Sequence, residues 1–213
     1  MEGYIEFLEK EETEKWGKKY YGEWAENYEK LMKSANGYTK DESCLYSIEQ
    51  YCGYNYKQIN KGLRNGFDTG NPTYRILANI LAMVLCSAPR IPCDIVLYRI
   101  IDIETMKIIL DNNKQFVQSK ENGFISASML KTIVNSDEEY ARGEILLKLY
   151  VPKGTVGVYV NEVTRRNEEE ILLPPGLYLK IIGEPYEDVM SKKTIYECKV
   201  IEYRCNTYYG EKV

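Results

Sequence analysis

Two glutamates spaced two positions apart are the residues whose type and spacing most suggest chemistry. Glu168 and Glu170 begin an apolar run that reaches Leu172-Leu173-Pro174. Residues at i and i+2 of a strand share a face, so both side chains are predicted to project together while Glu169 points away. Paired carboxylates can stabilise an oxocarbenium-like transition state, and their closeness raises the pKa of one of them. Taken alone, the segment also fits a solvated acidic turn.

Three further segments precede this pair in a fixed order. The apolar strand Asp94 to Arg99 ends in an aromatic residue and an arginine, and the short strand Gly123 to Ser128 carries Ser126 and Ser128 on one face. Each segment alone is compatible with ordinary packing, and the helix before them could be plain amphipathic core. The polar and apolar residues of interest on that helix are Tyr51, Tyr56, Asn60, Leu63 and Arg64.

In order and spacing, the four segments resemble the fingerprint of the bacterial ADP-ribosyltransferase toxins, over roughly residues 16 to 203. They are most similar to the clostridial actin-modifying binary toxins and to the small Rho-modifying exoenzymes. The resemblance implies an α+β fold with a helical amino-terminal part packed on a two-sheet, mostly antiparallel mixed β core. It also implies that NAD binds, as a substrate, in the cleft between the sheets.

The resemblance assigns a role to each candidate residue. Glu170 would bind the nicotinamide ribose and stabilise the oxocarbenium ion, and Ser126 would orient Glu170. Glu168 would select an arginine acceptor and help to deprotonate it, because the pKa of arginine exceeds about 12. Arginine's planar fork suits phosphate oxygens, so guanidinium groups are expected around NAD. The residues that would bind NAD are Tyr51, Tyr56, Asn60, Arg64, Arg99, Gly123, Ser128 and Arg142, the last being about one position away from the family's pattern.

Two positions depart from the family's pattern: the first removes a hydroxyl expected to support the strand, and the second bears on the target. Ala127 replaces the middle hydroxyl of the usual Ser-Thr-Ser strand, and Arg165 stands where the loop before Glu168 normally carries an aromatic residue. With Arg166 beside it, the loop is cationic and favours an acidic target surface. The implied partner is a protein modified on arginine, with actin as the first candidate, and the enzyme is expected to be a monomer.

Composition sets limits on the class of protein. A chain of 213 residues with 44% hydrophobic content fits one catalytic domain, with a helical lobe over about 1–90 and a strand-rich core over about 91–213. A net charge of -4 gives no case for nucleic acid, and no apolar run is long enough to predict a membrane span. The first residues do not resemble a secretory signal. We therefore expect delivery into a target cell by a route not visible in the sequence, or, alternatively, a cytoplasmic location.

The sequence contains no histidine, which excludes ordinary zinc sites and every histidine-based triad, so no metal is expected. It also lacks the Gly-x-Gly-x-x-Gly pattern of a Rossmann site. No Cys-x-x-Cys pair occurs, and free thiols are the expectation. The six cysteines are Cys44, Cys52, Cys86, Cys93, Cys198 and Cys205.

The periodicity predicts a helical front and a strand-rich back. Helices are expected over 6–32, 43–64, 74–86 and 103–111. An aromatic stripe on the first helix, predicted to face the core, comprises Trp16, Tyr20, Trp24, Tyr28 and Leu31. The predicted strands are 94–100, 123–128, 144–151, 155–160, 169–173, 177–182 and 194–203.

Three alternatives stay open. An NAD glycohydrolase would use the same pocket with water as the acceptor, and a non-catalytic binding module could share the fold. Such modules usually lose the Glu-x-Glu pair, which this sequence retains. A phage or intracellular regulator that modifies bacterial proteins is a variant of the transferase hypothesis.

Overall fold

The computed structural model describes residues 3–35, 46–67, 72–114, 119–136, 139–164, 166 and 168–202. Cys44, Arg165, Cys205 and the last residue of the predicted final strand lie outside these ranges. A π-helical turn, Tyr51–Asn55, connects the second and third helices. The helices are α1 (Lys10–Ala35), α2 (Ser47–Gln50), α3 (Tyr56–Asn65), α4 (Thr73–Ser87), α5 (Ile103–Lys114) and α6 (Asn161–Thr164).

In the described part of the chain, nine strands follow α4. They form one hydrogen-bonded path in the order β2-β7-β9-β4-β1-β3-β6-β5, with β8 beside β9. Among these strands the pairings are antiparallel except that of β4 with β9. The strands are β1 (Ile95–Ile101), β2 (Ser119–Glu121), β3 (Ile125–Ser128), β4 (Ile145–Val151), β5 (Val158–Tyr159), β6 (Glu170–Leu173), β7 (Leu177–Ile181), β8 (Tyr186–Glu187) and β9 (Thr194–Ile201).

The path has one weak junction. β1 and β3 share a single registered pair, Tyr98 with Ser128, whereas β1 and β4 pair over seven residues from Ile95 to Ile101. This junction separates a three-stranded part (β3, β6, β5) from a six-stranded part. The predicted α+β class with a helical front and a mixed, mostly antiparallel core is confirmed, and the predicted change from helices to strands near residue 90 falls between α4 and β1.

Strand β1 is buried on both faces. The helices cover one side, and a smaller cluster of hydrophobic side chains covers the other. Leu97 and Ile101 belong to the main core under the helices, whereas Val96 and Tyr98 belong to the smaller cluster on the opposite face. Since side chains alternate along a strand, Arg99 points to the same side as Leu97. The strand therefore presents its arginine on the helix side of the sheet.

The aromatic stripe of α1 faces the core as predicted at Trp16 and Tyr28, with Tyr20 and Trp24 packed against the core, and departs from the prediction at Leu31. Leu31 is 62% exposed, whereas Tyr21 is fully buried. Four residues rotate by 400° around a helix of 3.6 residues per turn, which is 40° more than one full turn. Residues spaced four apart therefore move gradually away from the face that packs on the core. The residues that face the core are Trp16, Tyr21, Ala25, Tyr28 and Met32.

The seven predicted strands are present with shifted ends, and two further strands were not predicted. Ser119–Glu121 and Tyr186–Glu187 are short and polar, so they lack the alternation that marks a half-buried strand. Within the described ranges the cysteines, Cys52, Cys86, Cys93 and Cys198, are free thiols. None of the helices that the structure describes is both long enough and apolar enough to cross a membrane.

Candidate active site

Glu170 is a buried carboxylate at the first position of β6, with 5% of its surface exposed. It is the register partner of Ser128, and Ser126 lies two residues further along β3 on the same face. The side chains of Ser126 and Cys52 lie close enough to its carboxylate to lower its pKa. The role of Ser126 in orienting Glu170 stays a prediction.

Burial, with a smaller contribution from the nearby Glu168 carboxylate, raises the pKa of Glu170 to about 7. The Ser126 and Cys52 hydrogen bonds and the positive charge of Arg166 act in the opposite direction. Desolvation wins because the carboxylate is almost completely removed from water. A carboxylate with this pKa can exchange a proton near neutral pH. Histidine usually has that role, and the sequence contains none.

Glu168 has a different environment. Its side chain is 34% exposed and lies 3.6 Å from the Arg166 guanidinium, measured from Oε1 to Nη1. The Ser128 hydroxyl donates to the Glu168 carbonyl at 3.1 Å and accepts the Leu130 N–H at 3.1 Å, which ties the segment to the end of β3. One carboxylate is buried against β3 and the other faces solvent.

A cavity of about 620 Å³ opens on the Glu168 side of this segment. Its size lies in the range of roughly 300–1,000 Å³ that is usual for ligand sites. Polar and charged side chains dominate its wall, including Lys10, Ser128, Thr132, Asn135, Arg166 and Glu168. Glu170 and Arg99 do not line it.

Glu169, between the two candidates, was predicted only to point away from them. It is 2% exposed, and its carboxylate accepts hydrogen bonds from Thr13 at 2.7 Å, from Asn161 at 3.0 Å and from the Tyr159 hydroxyl. Its φ of 49° lies in the left-handed region, so β6 begins only at Glu170. The opposite orientation of Glu169 thus comes from a local turn and a buried anchor, not from regular strand alternation.

Tyr51 and Asn60 form a hydrogen-bonded wall on the helix side. Asn60 donates to the Tyr51 hydroxyl at 2.9 Å, and its Oδ1 accepts the Phe124 N–H at 2.9 Å. Gly123 is needed beside them because a Cβ there would lie 2.9 Å from Asn60 Oδ1. The predicted helix residues and the start of the serine strand are therefore locked together.

Two arginines differ in how their guanidinium groups are held. Arg99 donates only to the carbonyls of Phe124 and Ser126, each at 3.4 Å, and no described carboxylate forms an ion pair with it. Arg64 instead makes a bidentate ion pair with Glu121, with nitrogen to oxygen distances of 2.8 and 2.9 Å. Arg99 is therefore the more available anion-binding group.

The remaining candidates stand further out. Tyr56 is 37% exposed, and its ring lies 6.4 Å from the Tyr51 ring in an edge contact. Arg142 is exposed at the end of a 3-10 turn before β4, and the structure gives it no contact with the other candidates. Its assignment stays a prediction, as do the roles of the other site residues.

The structure adds residues that sequence reasoning missed. Cys52 contacts Glu170, Glu121 pairs with Arg64, and Asn161 contacts both Glu169 and Glu170. No motif marked them, because each acts through a partner more than five residues away in sequence. Among the described residues no group of histidine, cysteine or acidic side chains is arranged to hold a metal ion.

The α+β scaffold that the fingerprint implied carries a buried Glu170 of raised pKa, a partly exposed Glu168 two positions earlier and Arg99 on β1. Fold and site together define the class as an ADP-ribosyltransferase of the toxin type. The family model described as ADP-ribosyltransferase exoenzyme matches residues 13–202, and the chain belongs to that family. The resemblance inferred from the sequence is thereby confirmed.

Solved structures of toxins are similar to the chain over most of its length. The ADP-ribosylating toxin BECa of a binary enterotoxin of C. perfringens, solved with NADH, is 22% identical, with a TM-score of 0.70 over 93% of this chain and 50% of that chain. Plx2a, an ADP-ribosyltransferase toxin from Paenibacillus larvae, is 20% identical, with a TM-score of 0.69 over 93% of this chain and 100% of that chain. C3stau2 from S. aureus, solved with NAD, is 21% identical, with a TM-score of 0.64 over 94% and 100%.

At these identities the similarity establishes the fold alone. The chain spans about half the length of the BECa chain and the full length of Plx2a. A comparison with curated proteins found no match.

Proposed function

We propose that the protein cleaves NAD and transfers ADP-ribose to an arginine of a target protein. The observation that carries this proposal is the difference between the two glutamates. Glu170 is buried, whereas Glu168 is partly exposed beside a cavity large enough for part of another molecule. One carboxylate suits the departing ribose, and the other suits an incoming nucleophile.

In this mechanism the ionised Glu170 binds the nicotinamide ribose and stabilises positive charge as it develops. The bond between the anomeric carbon and nicotinamide breaks, and neutral nicotinamide leaves with the bonding electron pair. An acceptor guanidinium nitrogen then forms a bond to the anomeric carbon and transfers a proton to Glu168. Electrostatic stabilisation by a preorganised group is usually the largest single contribution to catalysis.

The binding of NAD is assigned to the groups on the helix side of the sheet. Arg99 would bind a phosphate, since no described carboxylate competes for its guanidinium. Arg64 would do so only by sharing or leaving Glu121. The structures of BECa with NADH and of C3stau2 with NAD support a dinucleotide substrate for this fold. The chemistry of these residues does not require a metal ion.

The target is expected to present an acidic surface around its acceptor. Arg166 is 44% exposed next to Glu168, and Lys10 lies on the same cavity wall. Opposite charge around a contact speeds encounter and selects partners. Actin is the first candidate, and the toxin character of the family favours a secreted effector that acts inside another cell.

Incubation of the pure protein with labelled NAD tests the proposal directly. Purified actin, a cell lysate and agmatine, a small guanidine, serve as acceptors in parallel reactions. We expect label on agmatine and on a defined protein band, with none in the Glu170→Gln variant. Glu168→Gln should lose transfer by at least about 100-fold, a loss of about 3 kcal/mol of transition-state stabilisation, and should retain nicotinamide release.

Glu187→Gln, an exposed glutamate of β8, is the matched control and should behave as the unmodified protein. Nicotinamide release without labelling of any acceptor would identify a glycohydrolase instead. Transfer by the Glu170→Gln variant would contradict the mechanism.

A further inference from the structure

One arginine of the chain already lies where an acceptor arginine has to bind. The Nη1 atom of Arg166 is 3.6 Å from Glu168 Oε1, and the same nitrogen donates a hydrogen bond to the Cys52 carbonyl. The Cys52 side chain in turn lies close enough to the Glu170 carboxylate to lower its pKa. Arg166 is therefore close to both glutamates. It pairs directly with Glu168, and it is connected to Glu170 through Cys52.

Electrostatics agrees with this placement. The charge of Arg166 acts on the Glu170 carboxylate and lowers its pKa against the dominant effect of burial. The interaction falls off with distance and is strongest where water is excluded, so the guanidinium cannot be remote from the reacting carboxylate. Arg166 is also 44% exposed on the cavity wall, which leaves room for its side chain to move.

We propose that Arg166 is itself an acceptor and that the enzyme ADP-ribosylates this residue in cis when no target is bound. The inference rests on the arginine specificity of the proposed function. A guanidinium nitrogen of Arg166 bonds to the anomeric carbon of the nicotinamide ribose, and the bond to nicotinamide breaks. Nicotinamide leaves with the electron pair, and the proton from the guanidinium passes to Glu168.

The other arginines near the site are held differently. Arg64 is engaged by both oxygens of Glu121, and Arg99 points to the strand carbonyls on the side assigned to NAD. Arg166 alone among these three has the acceptor-side glutamate as its carboxylate partner. Its bond to the Cys52 carbonyl uses one of five N–H groups, so nitrogen atoms remain for reaction.

ADP-ribosylation of Arg166 would block further transfer by the same molecule. An ADP-ribosyl group on Arg166 would occupy the space beside Glu168 and fill part of the cavity of about 620 Å³. Each molecule would therefore accept one group, and transfer to an added acceptor would decline as the group accumulates. A protein target that covers Arg166 would prevent the side reaction.

Incubation of the full chain with labelled NAD and no acceptor tests the proposal. We expect one label per chain, mapped to Arg166 by peptide mass spectrometry, with a first-order rate that does not change on dilution. Arg166→Lys keeps the charge and should reduce the label per nicotinamide released by at least about tenfold. The catalytically inactive Glu170→Gln chain, mixed with active Arg166→Lys chain, should stay unlabelled because the reaction is in cis.

Arg90→Lys is the matched control. Arg90 also pairs with a glutamate, Glu202, at 3.6 Å and is 49% exposed, but it lies outside the candidate site. This variant should label as the unmodified chain does. Free ADP-ribose in place of NAD controls for non-enzymatic attachment.

Three outcomes would overturn the proposal: label at another residue, unchanged labelling of Arg166→Lys, or labelled agmatine with an unlabelled enzyme. The last of these leaves the proposed function intact. If neither nicotinamide release nor agmatine labelling occurs, the proposed function fails and the self-modification fails with it.

Discussion

Asn161 accepts the backbone N–H of Glu170 on its Oδ1 at 3.2 Å, and so fixes the first residue of β6. Its Nδ2 donates to the carboxylate of Glu169 at 3.0 Å. The same carboxylate receives the hydroxyls of Thr13 and Tyr159. The position of the candidate catalytic glutamate is therefore set by its neighbour in sequence, which is anchored to α1 and α6.

Loss of the negative charge of Glu169 should weaken this anchor. Glu169→Gln presents an amide N–H₂ to groups that need an acceptor, and hydrogen bonds to charged groups contribute about 1.5–3 kcal/mol. We expect the free energy of unfolding to fall by about 2 kcal/mol and NAD cleavage to slow. Urea denaturation and nicotinamide release measure the two effects. Glu187→Gln should change neither, and an unaltered urea midpoint for Glu169→Gln would refute the anchor.

The activity should depend on pH through Glu170. The proposed mechanism requires the ionised form of Glu170, whose pKa in the free protein is about 7. We expect kcat/KM for NAD cleavage to rise tenfold per pH unit below that value and to level off above it. Because bound NAD places a positive charge beside the carboxylate, the break in kcat should lie at lower pH. A break in kcat/KM near pH 4.5 would mean that Glu170 is not desolvated.

The same shift predicts a pH-dependent stability difference. The pKa of Glu170 is 4.5 without perturbation and about 7 in the folded chain. Between these values the native state binds more protons than the unfolded state, so this group's contribution to stability is present below pH 4.5 and is lost as the pH rises towards 7. The loss corresponds to about 3 kcal/mol. Unfolding in urea at pH 5 and at pH 8 tests this. Between the two pH values the unmodified protein should lose about 3 kcal/mol more stability than Glu170→Gln. Equal losses in the two proteins would contradict the prediction.

Arg99 and Arg64 should differ in their contribution to NAD binding. Arg99→Lys removes the group that no described carboxylate neutralises, and charge-assisted bonds to phosphate justify a loss of about 2–3 kcal/mol in affinity. Arg64→Lys should cost less, because Glu121 already holds that guanidinium at 2.8 Å. Titration of the Glu170→Gln variant with NAD avoids cleavage during the measurement. An equal loss for both substitutions would refute this ranking.

Two glycines of α1 form a matched pair. At Gly17 a Cβ would lie 2.1 Å from two ring carbons of Tyr159, whereas at Gly22 the nearest atom is 3.6 Å away. Gly17→Ala should destabilise the protein by about 1–3 kcal/mol, because α1 must move off the ring. Gly22→Ala should be neutral or should stabilise by up to about 1 kcal/mol through helix propensity. Thermal unfolding of both variants tests the pair, and equal midpoints would show that α1 is not packed against Tyr159.

The fold class and the seven main strands could be predicted, because apolar alternation and the change of period near Asp94 are local properties of the sequence. The motif residues Ser126 and Glu170 could be predicted to meet only through the family resemblance. The stripe on α1 was placed on the wrong side at Leu31, since aromatic residues at a spacing of four do not define which face is buried.

The anchor around Glu169 could not be predicted from the sequence. Alternation indicates that Glu169 points away from its neighbours, but not that it is buried, and Thr13 lies 156 positions away. An acidic residue is almost never buried unless paired, so the general expectation was a solvated side chain. Only the three-dimensional structure brings the three donors together.

The single registered pair between β1 and β3, Tyr98 with Ser128, has a consequence for folding kinetics. Arg99 belongs to one part of the sheet and Glu170 to the other, and the bond between Arg166 and Cys52 closes a loop of 114 positions. Contacts this distant in sequence form late, after the loop-closure entropy has been overcome. We therefore expect the proposed NAD cleavage to appear only when the two parts of the sheet have joined. Its recovery after dilution from denaturant would then report the time of the last tertiary step of folding.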